Sequence, residues 1–220
     1  MFGGEERSQL EPRMTSVKYL VCHDLPNLVR YGRHAPRRYQ PVEVELAAIE
    51  RATTHPMRTI LAERSGAIVG GEWDSEEHCR DVADSAIVQT CIRRWRDGLS
   101  WEEAGAYDHF MRLIEDRRAP VDGCQTLDDV VRRHDRLDAM YEQVAAEGRL
   151  RRQTELPGVR VRERGGVGIH VGRGCEPIWG FDGSHRMAIA MVLDLESIPA
   201  ALGVVHASVQ RSWKAAFVEV

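Results

Sequence analysis

The hydrophobic period changes twice along this 220-residue chain, and that change most limits what the chain can fold into. Residues 15–74 hold short apolar runs of strand type, residues 75–152 repeat apolar side chains at helical spacing, and residues 155–220 return to alternation. Strands that precede and follow a block of helices are typical of an α+β domain. We therefore predict an α+β fold with a mixed sheet and a three-helix insertion at about 75–152.

The first region contains apolar runs between prolines and polar residues. β-branched and aromatic residues in such runs favour strands, and proline marks the irregular connections. We accordingly predict strands at Val17–Cys22, Arg58–Leu61 and Ala67–Val69, and a short helix at Val42–Arg51.

The middle region carries repeated helix signals. Apolar residues recur every four positions from Cys79 to Trp95, which predicts an amphipathic helix. Ser100 with Glu103, and Thr126 with Asp129, have the spacing of capping boxes and predict the starts of two more helices. Gly148 supplies a left-handed end for the third helix.

The last region returns to the two-residue period. Alternation on both sides of Gly165-Gly166 predicts a hairpin there. Further along, we expect a strand at Ile178–Phe181, a helix at Gly183–Leu193, a buried strand at Ile198–His206 and a last helical turn at Ser208–Trp213.

Composition excludes several classes of protein. Thirty basic residues against 34 acidic ones give a net charge of −4, which argues against nucleic-acid binding by bulk charge. The five cysteines are scattered without a C-x-x-C pair, which indicates a reducing, cytoplasmic setting. The most apolar stretch, Met187–Val205, is interrupted by Asp194, Glu196 and Pro199, so we expect no membrane span. Residues 1–14 lack the apolar core of a signal peptide and are expected to form a disordered tail.

The segment from Ile178 to Ala188 is the strongest candidate site. It runs from a predicted strand through a glycine turn into a helix, where unpaired N–H groups and the helix dipole favour phosphate. Arg186 can fork onto phosphate oxygens, and His185 can donate a hydrogen bond or a proton. Asp182 can act as a base, hold a metal or cap the helix. The alternative is a plain helix cap, by Asp182 or Ser184, with a solvated histidine and arginine beside it.

The string Asp182-Gly183-Ser184-His185-Arg186, followed by the strand Ile198-Pro199-Ala200, resembles the signature of the ParB/sulfiredoxin superfamily. ParB-type partition proteins use a G-E-R-R turn for nucleotide phosphates, sulfiredoxins use F-G-G-C-H-R with an attacking cysteine, and free-serine kinases use D-G-x-H-R. The chain is most similar to the kinase version. The resemblance covers about Val159–His206, and the first region only loosely.

The resemblance implies a ParB/sulfiredoxin-like fold that binds ATP or ADP with magnesium. Phosphate contacts would come from Gly183, Ser184, His185 and Arg186, with magnesium held by Asp182. Serine occupies the position of the sulfiredoxin cysteine, so reduction of cysteine sulfinic acid is excluded. Arg173, which leaves the preceding predicted strand, is a further candidate for contact with the nucleotide.

The segment Gly70-Gly71-Glu72-Trp73-Asp74 is the second candidate. In a kinase, a carboxylate across the cleft from the phosphate turn takes the acceptor proton or holds magnesium. Glu72 and Asp74 fit by residue type, provided that their loop leaves the sheet on the same side as Asp182. The alternative is a glycine turn in which Asp74 caps a helix near Ser75.

The sequence thus predicts a nucleotide-dependent kinase acting on a small hydroxyl-bearing substrate, with Asp182 and His185 and either Glu72 or Asp74 in catalysis. The alternative is a ParB-like nucleotide-binding or DNA-associated module without small-molecule catalysis. The acceptor, the nucleotide and the oligomeric state stay open.

Overall fold

The computed structural model describes residues 16–158 and 161–218. In these ranges the strands are β1 (Pro41–Glu45), β2 (Arg51–Thr53), β3 (Ile68–Val69), β4 (Cys79–Asp81), β5 (Val167–Val171), β6 (Pro177–Phe181) and β7 (Ser197–His206). The helices are α1 (Leu25–Tyr31), α2 (His55–Ala62), α3 (Ala86–Trp95), α4 (Ala106–Arg117), α5 (Leu127–Glu147) and α6 (Ser184–Val192). A π-helical turn, Leu20–Asp24, precedes α1. The predicted α+β class is confirmed.

All the strands of the described ranges join one seven-stranded sheet in the order β1-β7-β5-β6-β2-β4, with β3 also paired to β7. The sheet is mixed, as predicted. β3, β5 and β7 run parallel to one another, and β2 and β6 form a second parallel pair that runs the opposite way, because β5 and β6 are antiparallel. The sheet therefore presents carboxyl ends of parallel strands at both of its ends, a feature that decides where sites can form.

β5 and β7 form the apolar centre of the sheet, because each of them has a neighbouring strand on both sides. Every residue of β5 is buried, and so is every residue of β7 after Ser197. A strand covered on both faces reads as a continuous apolar run, which explains why Ile198–His206 was predicted correctly. The predicted strand Ile178–Phe181 and helix Gly183–Leu193 are likewise confirmed as β6 and α6.

The region before Ser65 differs from its prediction. Val17–Cys22 is helical, and Arg58–Leu61 lies inside α2. Val42–Arg51, predicted as a helix, holds β1, a 3₁₀ turn and the start of β2. Short apolar runs fit a helix or a strand equally well. Pairing with the long β7 makes residues 41–45 a strand.

The predicted hairpin across Gly165-Gly166 is also wrong. The hairpin lies one strand later, where β5 and β6 pair antiparallel and Val171 faces Pro177. The residues just before Gly165 form turns instead of a strand. Gly166 has no space for a side chain, since an added Cβ would meet the Glu163 carboxylate at 2.8 Å. The glycine pair therefore permits close packing under β5.

The helices of the middle region follow their capping signals closely. Thr126 and Asp129 form the predicted capping box of α5, and Gly148 ends that helix with a φ of 65°. Ser100 and Glu103 exchange the predicted hydrogen bonds, but α4 begins only at Ala106. The first predicted helix is shorter than expected, because Cys79 lies in β4 and pairs with Thr53.

Contacts divide the chain into two compact units. The first contains residues 1–82, 151–183 and 196–220 and carries the sheet; the second contains residues 83–150 and 184–195. The second unit thus combines most of the predicted insertion with α6. Its centre is the carboxylate of Asp138, which accepts from the indoles of Trp95 at 2.7 Å and Trp101 at 3.1 Å and from the Arg94 guanidinium at 2.6 Å.

No helix in the described ranges is long and apolar enough to cross a membrane. The predicted tail at residues 1–14 lies outside the described residues.

Candidate functional site

A strained turn of the first unit follows the carboxyl end of β6. Asp182 has a φ of 46° and Gly183 a φ of 62°, so both lie in the left-handed region. Gly183 is required for a second reason as well, because an added Cβ would lie 2.7 Å from the backbone of Val167. The Trp179 indole donates to the Asp182 carbonyl at 3.4 Å, which ties the turn back to its strand. The Asp182 residue itself is exposed.

Arg58 is the cation next to this turn. Its guanidinium lies 5.2 Å from the ring centroid of Trp179. Burial lowers the pKa of Arg58, and the negative charge of Asp182 opposes that change. The topology explains the proximity: β2 and β6 are parallel, so α2, which begins two residues after β2, starts at the same end of the sheet as Asp182. The Thr53 hydroxyl also donates to the Gly180 carbonyl at 3.0 Å across these strands.

Sequence analysis missed Arg58 because its segment was predicted to be a strand. A signal for the helix was present. Thr54 precedes His55 in extended conformation as the N-cap residue, and Pro56 lies in the first turn, where proline is tolerated. Once a helix is expected to begin after β2, an arginine near its start lies close to the end of that strand and indicates a candidate anion site there.

The remaining motif residues lie in the first turn of α6, inside the second unit. Ser184 and His185 are half-buried, whereas Arg186 is buried with 8% of its surface exposed. Burial, together with smaller contributions from the nearby Arg133 and His134, lowers the pKa of His185 to about 4. His185 is therefore neutral at pH 7 and can accept or donate a hydrogen bond through its ring.

The Gly70–Asp74 segment lies at the opposite end of the sheet from Asp182. Its Asp74 carboxylate accepts from the backbone N–H of Arg173 at 2.7 Å and from the Arg173 guanidinium at 2.7 Å. Arg173 follows β5, whose end faces the start of β6, whereas Asp182 follows the end of β6. The two loops are separated by the length of that strand, four steps of about 3.3 Å or roughly 13 Å.

The expectation that both loops leave the sheet on the same side is therefore wrong, for Glu72, Asp74 and Arg173 alike. The reason is the direction of β6, because an antiparallel hairpin returns the chain to the other end of the sheet before Asp182 is reached.

These three residues pair with one another instead. The Asp74 side chain is fully buried, and Arg173 also binds the more exposed Glu72 at 2.9 Å. Burial raises the pKa of Asp74, but the hydrogen bonds from Arg173 outweigh it and leave the pKa lowered. Trp73, between the two acids, packs against His170 with ring centroids 5.6 Å apart. The segment is thus a closed polar cluster around Arg173.

Among residues 16–158 and 161–218, no three histidine, cysteine or acidic side chains lie close enough together to hold a metal ion. Comparison of the chain with protein-family models, curated proteins and solved structures finds no match.

Proposed function

We propose that the chain is a nucleotide-dependent phosphotransferase of ParB/sulfiredoxin type, acting on a small hydroxyl-bearing substrate, with phosphates bound at the turn that begins with Asp182. The observation that carries the proposal is Arg58, a partly desolvated cation beside Asp182 at the carboxyl ends of β2 and β6. Arginine beside backbone N–H groups at a glycine turn is a recurrent phosphate site.

The turn places an exposed carboxylate and a glycine at the start of a helix. Glycine is required at position 183 because the turn packs directly against the backbone of Val167. Asp182 is the exposed carboxylate of this turn, so it would hold magnesium together with the phosphates, since Mg²⁺ commonly takes one or two carboxylates and completes its shell with phosphate and water. ATP or ADP remains the proposed nucleotide, on the resemblance alone.

With Glu72 and Asp74 at the other end of the sheet, Asp182 is the acid that we assign to the acceptor proton or to the metal. The same observation favours the second candidate, a nucleotide-binding module that does not catalyse phosphoryl transfer, because the turn then lacks a separate base.

Calorimetry with ATP and ADP, with and without magnesium, tests the nucleotide part. Arg58→Gln is expected to weaken binding by about tenfold to a hundredfold, the range for a hydrogen bond to a charged group. Arg37→Gln removes an exposed arginine elsewhere in the first unit and serves as the control with the same charge change. Unchanged affinity in a folded Arg58 variant would overturn the site.

Phosphorus NMR separates the two candidates once binding is found. Transfer of the terminal phosphoryl group to small alcohols and hydroxy amino acids, with loss of turnover but retained binding in Asp182→Asn, supports the kinase. Binding of nucleotide without any transfer product supports the non-catalytic module.

A further inference from the structure

A cleft of about 480 Å³ opens at the end of the sheet opposite Asp182. Ile68 and Gly70 line it from β3 and the residues after it, and Ala207 lines it from the end of β7. These strands are parallel, with Val69 paired to His206, so the cleft lies at the carboxyl ends of two adjacent parallel strands. Clefts in this position, and of this size, are common ligand sites in sheets flanked by helices.

The remaining lining residues are Tyr31, Gln210 and three basic residues. Arg30 and His34 come from α1 and the 3₁₀ turn that follows it, and Arg211 comes from the segment after β7. None of the lining residues that the structure describes is acidic. Neither Arg30 nor Arg211 makes an ion pair within the described ranges. Two guanidinium groups from distant parts of the sequence thus share one cleft, in a protein whose net charge is −4.

Two of the basic residues, Arg30 and His34, contact neighbouring groups of the protein. The Arg30 guanidinium lies 5.3 Å from the ring centroid of Tyr31. The carbonyl of His34 accepts from the Trp213 indole at 2.8 Å, and the His34 Nε2 accepts from Arg33 at 3.1 Å. A neutral ring with an accepting Nε2 carries its proton on Nδ1, which leaves a donor at His34.

We infer that this cleft binds a phosphate-bearing small molecule through Arg30, Arg211 and His34. A phosphate monoester carries a charge between −1.5 and −2 at pH 7, about what two arginines balance, whereas a carboxylate carries only one charge. The arginine fork fits two phosphate oxygens at once. The inference is independent of the proposed function, because the cleft and the Asp182 turn lie at opposite ends of the sheet.

Amide NMR on the full chain tests the inference with inorganic phosphate as the probe and sodium acetate at equal ionic strength as the comparison. Phosphate is expected to shift the amide signals of Gly70, Ala207 and Arg211, and acetate is expected to shift them far less. In Arg30→Gln/Arg211→Gln the apparent affinity at these amides should fall by at least about tenfold. Arg37→Gln, an exposed arginine that does not line the cleft, should leave it unchanged.

Both substituted residues are exposed, so the variant is expected to fold, and Arg211→Gln alone provides a second measurement with a smaller loss. Equal shifts with acetate and phosphate, or shifts retained in the double variant, would overturn the inference. The Gly183 amide reports separately on the Asp182 turn. Failure of the proposed nucleotide site would be seen at the Gly183 amide, and failure of the cleft at the amides of Gly70, Ala207 and Arg211. The two failures can therefore be told apart.

Discussion

His170 shows how a single residue fixes the centre of the sheet. Its ring lies in a slot between β6 and β7, where a Cβ on Gly180 would come within 2.1 Å of Nε2 and a Cβ on Gly203 within 2.1 Å of Nδ1. Nδ1 accepts from the backbone N–H of Val204 at 2.9 Å, so the neutral ring carries its proton on Nε2. Glycine is therefore required at both positions by volume, because the core has room for either the imidazole or a methyl group but not for both.

Gly180→Ala is expected to destabilise the protein by about 1–3 kcal/mol, because the new methyl overpacks the slot. The three atoms nearest to that methyl all belong to the His170 ring. Chemical denaturation measures the free energy of unfolding of the variant. The control is the same change in a His170→Ala background, where the ring is absent and the added cost should largely disappear. Equal costs in both backgrounds would contradict the packing argument.

Acid is expected to destabilise the fold through the same histidine. Burial, together with a smaller contribution from the charge of Arg58, lowers the pKa of His170 from 6.5 to about 3. Since the unfolded chain takes up a proton near pH 6.5 and the folded one does not, this contribution to stability is fully present above that pH and falls as the pH drops from 6.5 towards 3. The slope is about 1.4 kcal/mol per pH unit for one such group.

Denaturant unfolding at pH 7, 6 and 5 measures this slope. His170→Asn keeps a polar side chain in the slot but cannot titrate, so its unfolding free energy should depend less on pH than that of the wild type. His134 and His185, whose pKa values burial also lowers, contribute in the same direction and remain in both proteins. Parallel pH profiles would contradict the role of His170.

At the scale of elements, the sequence predicts those helices and strands whose formation depends on local residues. It does not predict those that depend on pairing with a distant strand. The long α5 has an apolar stripe and both caps in its own sequence, and the apolar β7 has no reading other than a buried strand, so both were predicted. The segments around β1 and α2 are too short for periodicity to decide their state, and β1 forms by pairing with a strand more than 100 residues away.

The same limit applies to the candidate site. The Asp182 turn was found from its own sequence, because the strand, glycine and helix are adjacent in the chain. Arg58, which lies beside it, could not be found without the parallel pairing of β2 and β6. Glu72 and Asp74 were misplaced for the same reason, since residue type says nothing about which end of a sheet a loop occupies.

Thr126→Ala is expected to cost about 0.5–2 kcal/mol of stability, the range for loss of an N-cap oxygen. The Thr126 hydroxyl accepts from the backbone N–H of Asp129, and the Asp129 carboxylate accepts in return from the backbone N–H of Thr126 at 3.0 Å. Hydrogen bonds from the backbone N–H of Gln125 and from the hydroxyl and N–H of Thr126 lower the pKa of Asp129 to about 2. Thermal unfolding followed by circular dichroism measures the change.

The matched control for the cap is Thr59→Ala, an exposed threonine inside α2 whose hydroxyl bonds only the His55 carbonyl one turn back. Alanine there is expected to be neutral or slightly stabilising, because alanine has the higher helix propensity. If both alanine variants lost stability equally, the cap would have no special role in α5.

At the scale of the whole molecule, the two strand directions in the sheet decide where small anion sites can form, and the net charge of −4 does not. One sheet offers carboxyl ends of parallel strands at both ends, with Arg58 and Asp182 at one and the basic cleft at the other. The Asp182 end combines Arg58 with a turn that is far away in sequence, and the cleft combines two arginines from distant segments. Bulk charge therefore argues against a polyanion as partner, yet leaves room for two small anion sites.

Separation of the ends predicts that the two sites act independently. Arg58→Gln is expected to weaken nucleotide binding by about tenfold or more while leaving the phosphate-induced shifts at Gly70 and Ala207 unchanged. Arg30→Gln/Arg211→Gln is expected to do the reverse. In the triple variant each affinity should fall by the same factor as in the variant that changes its own site, because distant substitutions without shared contacts usually act independently within about 0.5 kcal/mol. Calorimetry with ATP and amide NMR with phosphate measure the two affinities in each protein.

A change at one end that alters affinity at the other by more than about threefold would contradict independence. It would mean that β5, β6 and His170 couple the two ends through the core.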